Sequence, residues 1–241
     1  MGRILVIGDI HGGIRALRQV FERADVTVSD KLIFLGDYVD GWSQSPEVLD
    51  FLMDLAQQQQ CVFMRGNHDD LLREWLGGKD NELWFQHGGE VTIKAYETLS
   101  EETKKRHVSF LESLQNYYLD SENRLFVHAG FTSLHGVKSE HFPRLLFWER
   151  TLWETALALD PNMETENPSY PKRFLLYKEI FIGHTPVTRI GETIPTQRAN
   201  VWNIDTGAAF LGPLSIMDVD TKEFWQSDPL PQLYPDEKGR N

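Results

Sequence analysis

Arg3-Ile4-Leu5-Val6-Ile7-Gly8-Asp9-Ile10-His11-Gly12 is an apolar, β-branched run that stops at a glycine and then presents an aspartate and a histidine two residues apart. Residues 31–35 repeat the pattern and end in Gly36-Asp37-Tyr38-Val39-Asp40. Residues 61–64 repeat it again and lead through Arg65 into Gly66-Asn67-His68-Asp69. Between the first two runs, Ile14, Leu17, Val20 and Phe21 recur at helical spacing. Between the second and third, Ser45-Pro46-Glu47 opens a helix with Ser45 as N-cap and Pro46 as first helical residue. Val48, Leu49, Leu52, Met53 and Leu55 give that helix an apolar face. The order β-α-β-α-β implies a parallel sheet with right-handed crossovers.

Working outward, residues 70–117 read as a mostly helical insertion that caps or flanks a site, with a turn at Gly88-Gly89. Hairpin strands are expected at 117–119 and 125–128, around Asp120-Ser121-Glu122-Asn123. A helix is expected over 148–159, a loop over 160–171, and strands at 179–182, 201–204, 214–219 and near Phe224. The whole reads as a single domain over residues 1–226, with a mobile, proline-containing tail over 227–241.

The chain has 241 residues, enough for a sizeable core. Its net charge is −12, which argues against binding nucleic acid or an anionic membrane. One cysteine, Cys61, excludes an intramolecular disulfide; it reads as a core residue in a reducing, cytoplasmic protein. A strand within three residues of Met1 leaves no room for a signal peptide, and no apolar stretch reaches the length of a membrane helix.

Two further motifs, His128-Ala129-Gly130 and Gly183-His184-Thr185, also follow apolar runs. In parallel α/β sheets ligands bind at the carboxyl ends of strands, where the first three motifs fall. Asp9 and His11, two apart in an extended segment, share a direction. Asp37 carries two oxygens and can bridge two cations. Asn67 offers a neutral carbonyl oxygen, and His128 and His184 offer imidazoles. Such a set, without thiolate, suits two divalent metal ions, manganese first and iron or zinc as alternatives.

These five motifs resemble those of the calcineurin-like metallophosphoesterases, and more narrowly the phosphoprotein phosphatases (Ser/Thr protein phosphatases) of bacterial and phage type. The resemblance spans about residues 4–210. It implies an α/β metallophosphoesterase sandwich of two facing mixed β-sheets flanked by helices. It implies that Asp9, His11 and His184 hold one metal, that Asp37 bridges, and that Asn67 and His128 hold the other. It makes His68 the general acid and Asp40 the group that orients it. Direct attack by a metal-bridging hydroxide, without a phosphoenzyme, is the implied mechanism. Gly41 stands where the family has a phosphate-binding arginine. Arg150, in Trp148-Glu149-Arg150, resembles a second phosphate-binding arginine of bacterial members. Arg65 is the other candidate phosphate ligand, and a structural ion pair is its alternative. Asp69 is expected to steady its loop, Asp205 to be structural or adjacent to the ligands, and His87 to approach the groove.

The leading expectation is phosphomonoester hydrolysis, with a phosphorylated protein or small phosphoester as substrate. The rivals are a symmetrical diadenosine tetraphosphatase-like hydrolase, which wants a basic groove and stacking aromatics, and a non-catalytic metal-binding scaffold.

Overall fold

The computed structural model describes residues 2–240. Strand β1 (Ile4–Ile7) pairs in parallel with β2 (Lys31–Phe34), and β2 with β3 (Cys61–Phe63). Helices α1 (Ile14–Arg23) and α2 (Ser45–Ala56) form the crossovers between them. Helix α3 (Asn67–Leu76) begins on the third motif itself. It opens the expected helical block, which continues as α4 (Glu82–Trp84), a kinked turn Phe85–Gly89, α5 (Glu90–Tyr96) and α6 (Glu101–Ser113). Gly88 makes the kink with φ +100°.

The second sheet runs β4 (Tyr118–Leu119), β5 (Arg124–Phe126), β6 (Glu179–Ile182), β8 (Val201–Asn203), β7 (Thr196–Arg198), with α7 (Leu145–Trp148) and α8 (Thr151–Ala158) in the connection after β5. The chain then returns to the first sheet as β9 (Ser215–Asp218) and β10 (Phe224–Gln226), giving the order β10-β9-β1-β2-β3. Both sheets are mixed.

Strand alternation builds the layers. Leu5, Ile7, Leu32 and Phe34 pack with Leu17, Val20, Leu49 and Leu52 of the helices. Their neighbours Val6, Ile33 and Val62 face inward and meet Phe126, Phe181 and Ile204 of the other sheet side. Phe126 and Phe181 stack at 4.8 Å between ring centres. Leu125, Ile180, Ile182 and Val201 turn outward onto Leu152 and Trp153. The result is an α/β sandwich of two facing mixed sheets flanked by helices. No helix among the described residues is long and apolar enough to cross a membrane.

Several local expectations are corrected. Ser45 is the first residue of α2 rather than its cap; its buried Oγ accepts the Asp40 N–H at 3.0 Å. The helix expected over 148–159 is broken, because the Glu149 carboxylate accepts the N–H groups of Thr151 (2.7 Å) and Leu152 (3.2 Å) and so caps α8. Cys61 is half-buried at the sheet edge, where burial pushes its thiol up to about 11. The segment after Ser227 docks instead of trailing away. Helix α9 (Leu230–Leu233) leads into Tyr234, whose buried ring stacks on Trp42 at 5.2 Å. Glu237 then accepts hydrogen bonds from Ser43 N (2.9 Å) and Ser43 Oγ (2.7 Å).

Candidate metal centre and active site

All five motifs meet at one edge of the sandwich. The loops after β1, β2 and β3 bring Asp9, His11, Asp37 and Asn67; the turns after β5 and β6 bring His128 and His184. Backbone bonds weld these loops together: His11 N donates to Asp37 O at 2.9 Å, and Gly183 N to His128 O at 2.9 Å. His11 (φ 53°), Asp37 (φ 53°), Asp40 (φ 74°) and His184 (φ 67°) all hold left-handed backbone. Non-glycine residues rarely do so, and strain of this kind concentrates at functional sites.

The imidazoles are aimed by their outer nitrogens. His128 Nδ1 donates to Leu35 O at 2.9 Å, which turns Nε2 toward Asn67 Oδ1 (3.2 Å) and Asp37 Oδ2 (3.4 Å). His11 Nδ1 donates to Val39 O at 3.2 Å, leaving Nε2 3.7 Å from Asp37 Oδ2 and 3.9 Å from Asp9 Oδ2. Metal-binding histidines are commonly oriented through the far nitrogen in this way. Two groupings with donor atoms within 4.8 Å of one another share Asp37: His11, Asp37 and His68, and Asp37, His128 and His184. His184 Nδ1 is 2.8 Å from Asn67 Oδ1, so its ring sits with Asn67 and His128. The resemblance placed it with Asp9 and His11; only its backbone N–H reaches Asp9, at 3.0 Å.

The residues fit divalent cations. Asp9 Oδ1 and His184 Nε2 are buried without a hydrogen-bond partner, a costly state for polar atoms unless a ligand meets them. A Cβ at Gly183 would strike Asp9 Oδ1, and one at Gly66 would strike Asp37 Oδ1. Glycine at these positions leaves the carboxylates their room. Titration is displaced throughout. Burial, then the charge of Asp205, raises Asp9 well above its ordinary range. Burial drives His11 and His184 well below theirs. Burial opposes the charge on His128, but Asp37 and Asp9 outweigh it and push the ring up to about 9. Buried, mutually coupled acids and imidazoles of this kind mark functional clefts.

Beside the cluster, His68 Nδ1 lies 2.6 Å from Asp40 Oδ2. The same oxygen accepts Trp84 Nε1 at 2.5 Å, and Asp40 Oδ1 accepts Thr92 Oγ1 at 2.6 Å. The helical block thus secures Asp40. Asp69 binds the motifs to one another, accepting N–H groups of Asp37 (2.9 Å), Tyr38 (2.8 Å) and Gly66 (2.8 Å).

Sequence and fold comparisons place this geometry. The family model for calcineurin-like phosphoesterases matches residues 2–208. The chain belongs to that family. As a calcineurin-like phosphoesterase it is a hydrolase, a metallophosphoesterase. It is 29% identical over 228 residues to the asymmetrical bis(5'-nucleosyl)-tetraphosphatase PrpE of Anoxybacillus flavithermus, covering 88% of each chain. With the protein of the same name from Bacillus subtilis it shares 25% over 227 residues, covering 85% of this chain and 86% of that one. In fold it is similar to a protein serine/threonine phosphatase from Saccharomyces cerevisiae, with TM-score 0.61, 15% identity and coverage of 94% of this chain and 80% of that one. A metallophosphoesterase from Sphaerobacter thermophilus gives TM-score 0.57 at 18% identity, covering 97% and 94%.

A cavity of about 420 Å³ opens over the phosphoesterase's cluster, lined by Asp37, Asn67, His68 and His184 and, further out, by Trp84, His87, Trp148 and Arg150. His87 and Arg150, both named from the sequence, lie on its outer wall. Arg150 Nη1 donates to Thr185 Oγ1 at 2.7 Å. Arg65 does not reach this cavity. Its guanidinium lies 3.8 Å from Asp70 and at the carbonyls of Glu112 and Leu114, which corrects its assignment to phosphate and favours the structural ion pair. Asp205 is buried, accepts Gly207 N at 2.9 Å, and its charge bears on Asp9. Of the tryptophans, Trp148 lines the cavity while Trp42 and Trp75 pack against Tyr234 and Trp84. Sequence reasoning missed Trp84, Thr92, Arg189, Phe210 and Arg240; the last three also line the cavity.

Proposed function

We propose that this chain hydrolyses phosphate esters and anhydrides of small, highly charged molecules, dinucleoside polyphosphates above all, with two bound divalent cations. Asp9, His11 and Asp37 would hold one cation, and Asp37, Asn67, His128 and His184 the other. Oxygen and nitrogen donors without thiolate fit manganese, with iron or zinc as alternatives. When bound, such a pair supplies an activated water and neutralises phosphoryl charge.

The chain's own residues do the rest. Arg150 binds a phosphoryl oxygen and orients the phosphorus over Asp37. As the bond from phosphorus to the leaving oxygen breaks, His68 gives that oxygen a proton. Asp40, fixed by Trp84 and Thr92, keeps the His68 ring turned for that transfer; positioned acids of this kind contribute about 10²–10⁴-fold. The single observation that carries the reaction is the 2.6 Å contact between His68 and Asp40 at the rim of the shared carboxylate cluster.

Two things support the nucleotide class: the names of the relatives that match most of the chain, and the aromatic and arginine residues together on the cavity wall. A second reading, hydrolysis of phosphoserine or phosphothreonine in a protein, is favoured by the His68–Asp40 pair itself. An alkoxide leaving group needs an acid more than a phosphate leaving group does. Product analysis decides between them. Diadenosine tetraphosphate cleaved to ATP and AMP supports the first reading, and cleavage to two ADP supports its symmetrical variant. Faster release of phosphate from a phosphopeptide would replace it with the second.

A further inference from the structure

Arg240 occupies an unusual seat. It lies against Gly41, the position at which the family resemblance led us to expect an arginine. A Cβ at Gly41 would stand 3.2 Å from Arg240 Cγ and 3.6 Å from Cδ. At Gly88 it would stand 3.0 Å from Arg240 Cγ. Both glycines have left-handed backbone, φ +95° and +100°. They meet through Gly41 N and Gly88 O at 3.4 Å, making a trough of bare backbone that the arginine stem fills.

The segment leading there is fixed by contacts outside the cluster: Tyr234 on Trp42, Glu237 on Ser43, Gly239 under the Trp42 ring, and Arg240 N on Ala209 O at 2.9 Å. The Arg240 guanidinium lies 5.3 Å from the Phe210 ring centre and lines the cavity beside Arg150 and Arg189. Its Nε is buried without a hydrogen-bond partner. Among the described residues neither Arg240 nor Arg150 has a carboxylate partner within ion-pair distance; Arg150 donates only to the neutral Thr185 hydroxyl. Burial first, then the charges of Arg189 and Arg240, lower the pKa of Arg150 and outweigh the opposing charges of Asp37 and Asp205. Three cations therefore converge on one cavity of a chain whose net charge is −12. Such a grouping is unfavourable alone and is offset by a polyanion with several phosphates.

We infer that Arg240, with Arg150 and Arg189, forms a clamp for the non-reacting phosphates of a polyphosphate substrate. It supplies from a distant segment a guanidinium that position 41 lacks. The inference rests on the phosphoester reading for its reaction but predicts a binding property that stands apart from turnover. Orthophosphate and a monoester such as p-nitrophenyl phosphate carry one phosphoryl group and satisfy only part of the clamp. Tripolyphosphate and diadenosine tetraphosphate reach the whole clamp.

The experiment uses full-length, Mn²⁺-loaded protein and Arg240→Ala, Arg240→Lys and Arg189→Ala variants. Tripolyphosphate binding is read by calorimetry, and KM and kcat are read for both esters. Arg240→Ala should weaken tripolyphosphate and raise KM for the tetraphosphate by about tenfold or more, the worth of a charge-assisted contact. Losses on orthophosphate and on the monoester should be clearly smaller than those on the polyphosphates, and Arg240→Lys should restore part of the loss. Equal losses on mono- and polyphosphates, or no loss on either, would overturn the clamp. Calorimetry keeps the test valid if the protein turns over neither ester: tripolyphosphate binding that depends on Arg240 would uphold the clamp while the proposed reaction fell.

Discussion

His68 and Asp40 sit 2.6 Å apart, His68 at the N-terminus of α3 and Asp40 at the end of a left-handed turn, both buried. The Asp40 carboxylate has three side-chain partners, His68 and Trp84 on Oδ2 and Thr92 on Oδ1. The pair is a fixed unit, and its removal has a distinct signature. His68→Asn should leave metal content unchanged and lower kcat by about 10²–10⁴-fold, more for poor leaving groups than for p-nitrophenolate. Asp40→Asn should fall in the same range. Metal analysis with a series of leaving groups checks both; unchanged turnover removes His68 from the reaction.

Trp84 tests the helical block. Trp84→Phe keeps most of the packing and deletes the Nε1 donor to Asp40. Stability should fall by roughly 1–3 kcal/mol, the cost of leaving a buried carboxylate oxygen short of a partner. Turnover should drop while the affinity for cations stays the same. Denaturant melts and metal titrations separate the two effects.

Gly66 tests the cradle around Asp37. Gly66→Ala puts a Cβ into Asp37 Oδ1 and Asp37 N, which cannot both yield because Asp69 holds that backbone. Cation affinity should fall by roughly 10–100-fold. Equilibrium dialysis with Mn²⁺ reads this directly. For the parent protein, chelation should lower Tm and added Mn²⁺ restore it, because cations that bind only the folded state stabilise it by mass action.

Acid stability has a source far from the cluster. Burial raises Asp30, but Arg3 and the backbone N–H groups of Thr27 and Arg3 outweigh it and hold the carboxyl down to about 2, against an ordinary 3.8. A depressed carboxyl stabilises the fold above its unfolded pKa and loses that contribution as pH falls through its folded pKa. The window is therefore about pH 4 down to about 2, and the contribution is about 2 kcal/mol. Asp30→Asn should flatten the pH dependence of stability across that window; an unchanged slope would assign acid sensitivity elsewhere.

The candidate ligands are legible in the sequence because each follows a strand that must be apolar to sit between layers. Asp9, Asp37 and Asn67 could be read from the break between run and glycine alone. His184 was found, but its partners were not, since which imidazole lies beside Asn67 depends on how two sheets meet. Strand β7 was missed because an edge strand reading Thr-Gln-Arg has neither alternation nor apolar content. The break at Glu149 was missed because it is made by a side chain folding back on the backbone. Arg240 had no local signal at all. Only the glycine at position 41 hinted that a cation was needed, and the contacts that deliver it span some two hundred residues of chain.

The most direct test of the account is hydrolysis by metal-stripped protein, with and without Mn²⁺, of diadenosine tetraphosphate and a phosphopeptide side by side. The account predicts no turnover without metal, Mn²⁺-restored cleavage of the tetraphosphate to nucleotides, and slower release of phosphate from the peptide. Metal-independent turnover, or silence on both substrates with cations bound, would contradict it.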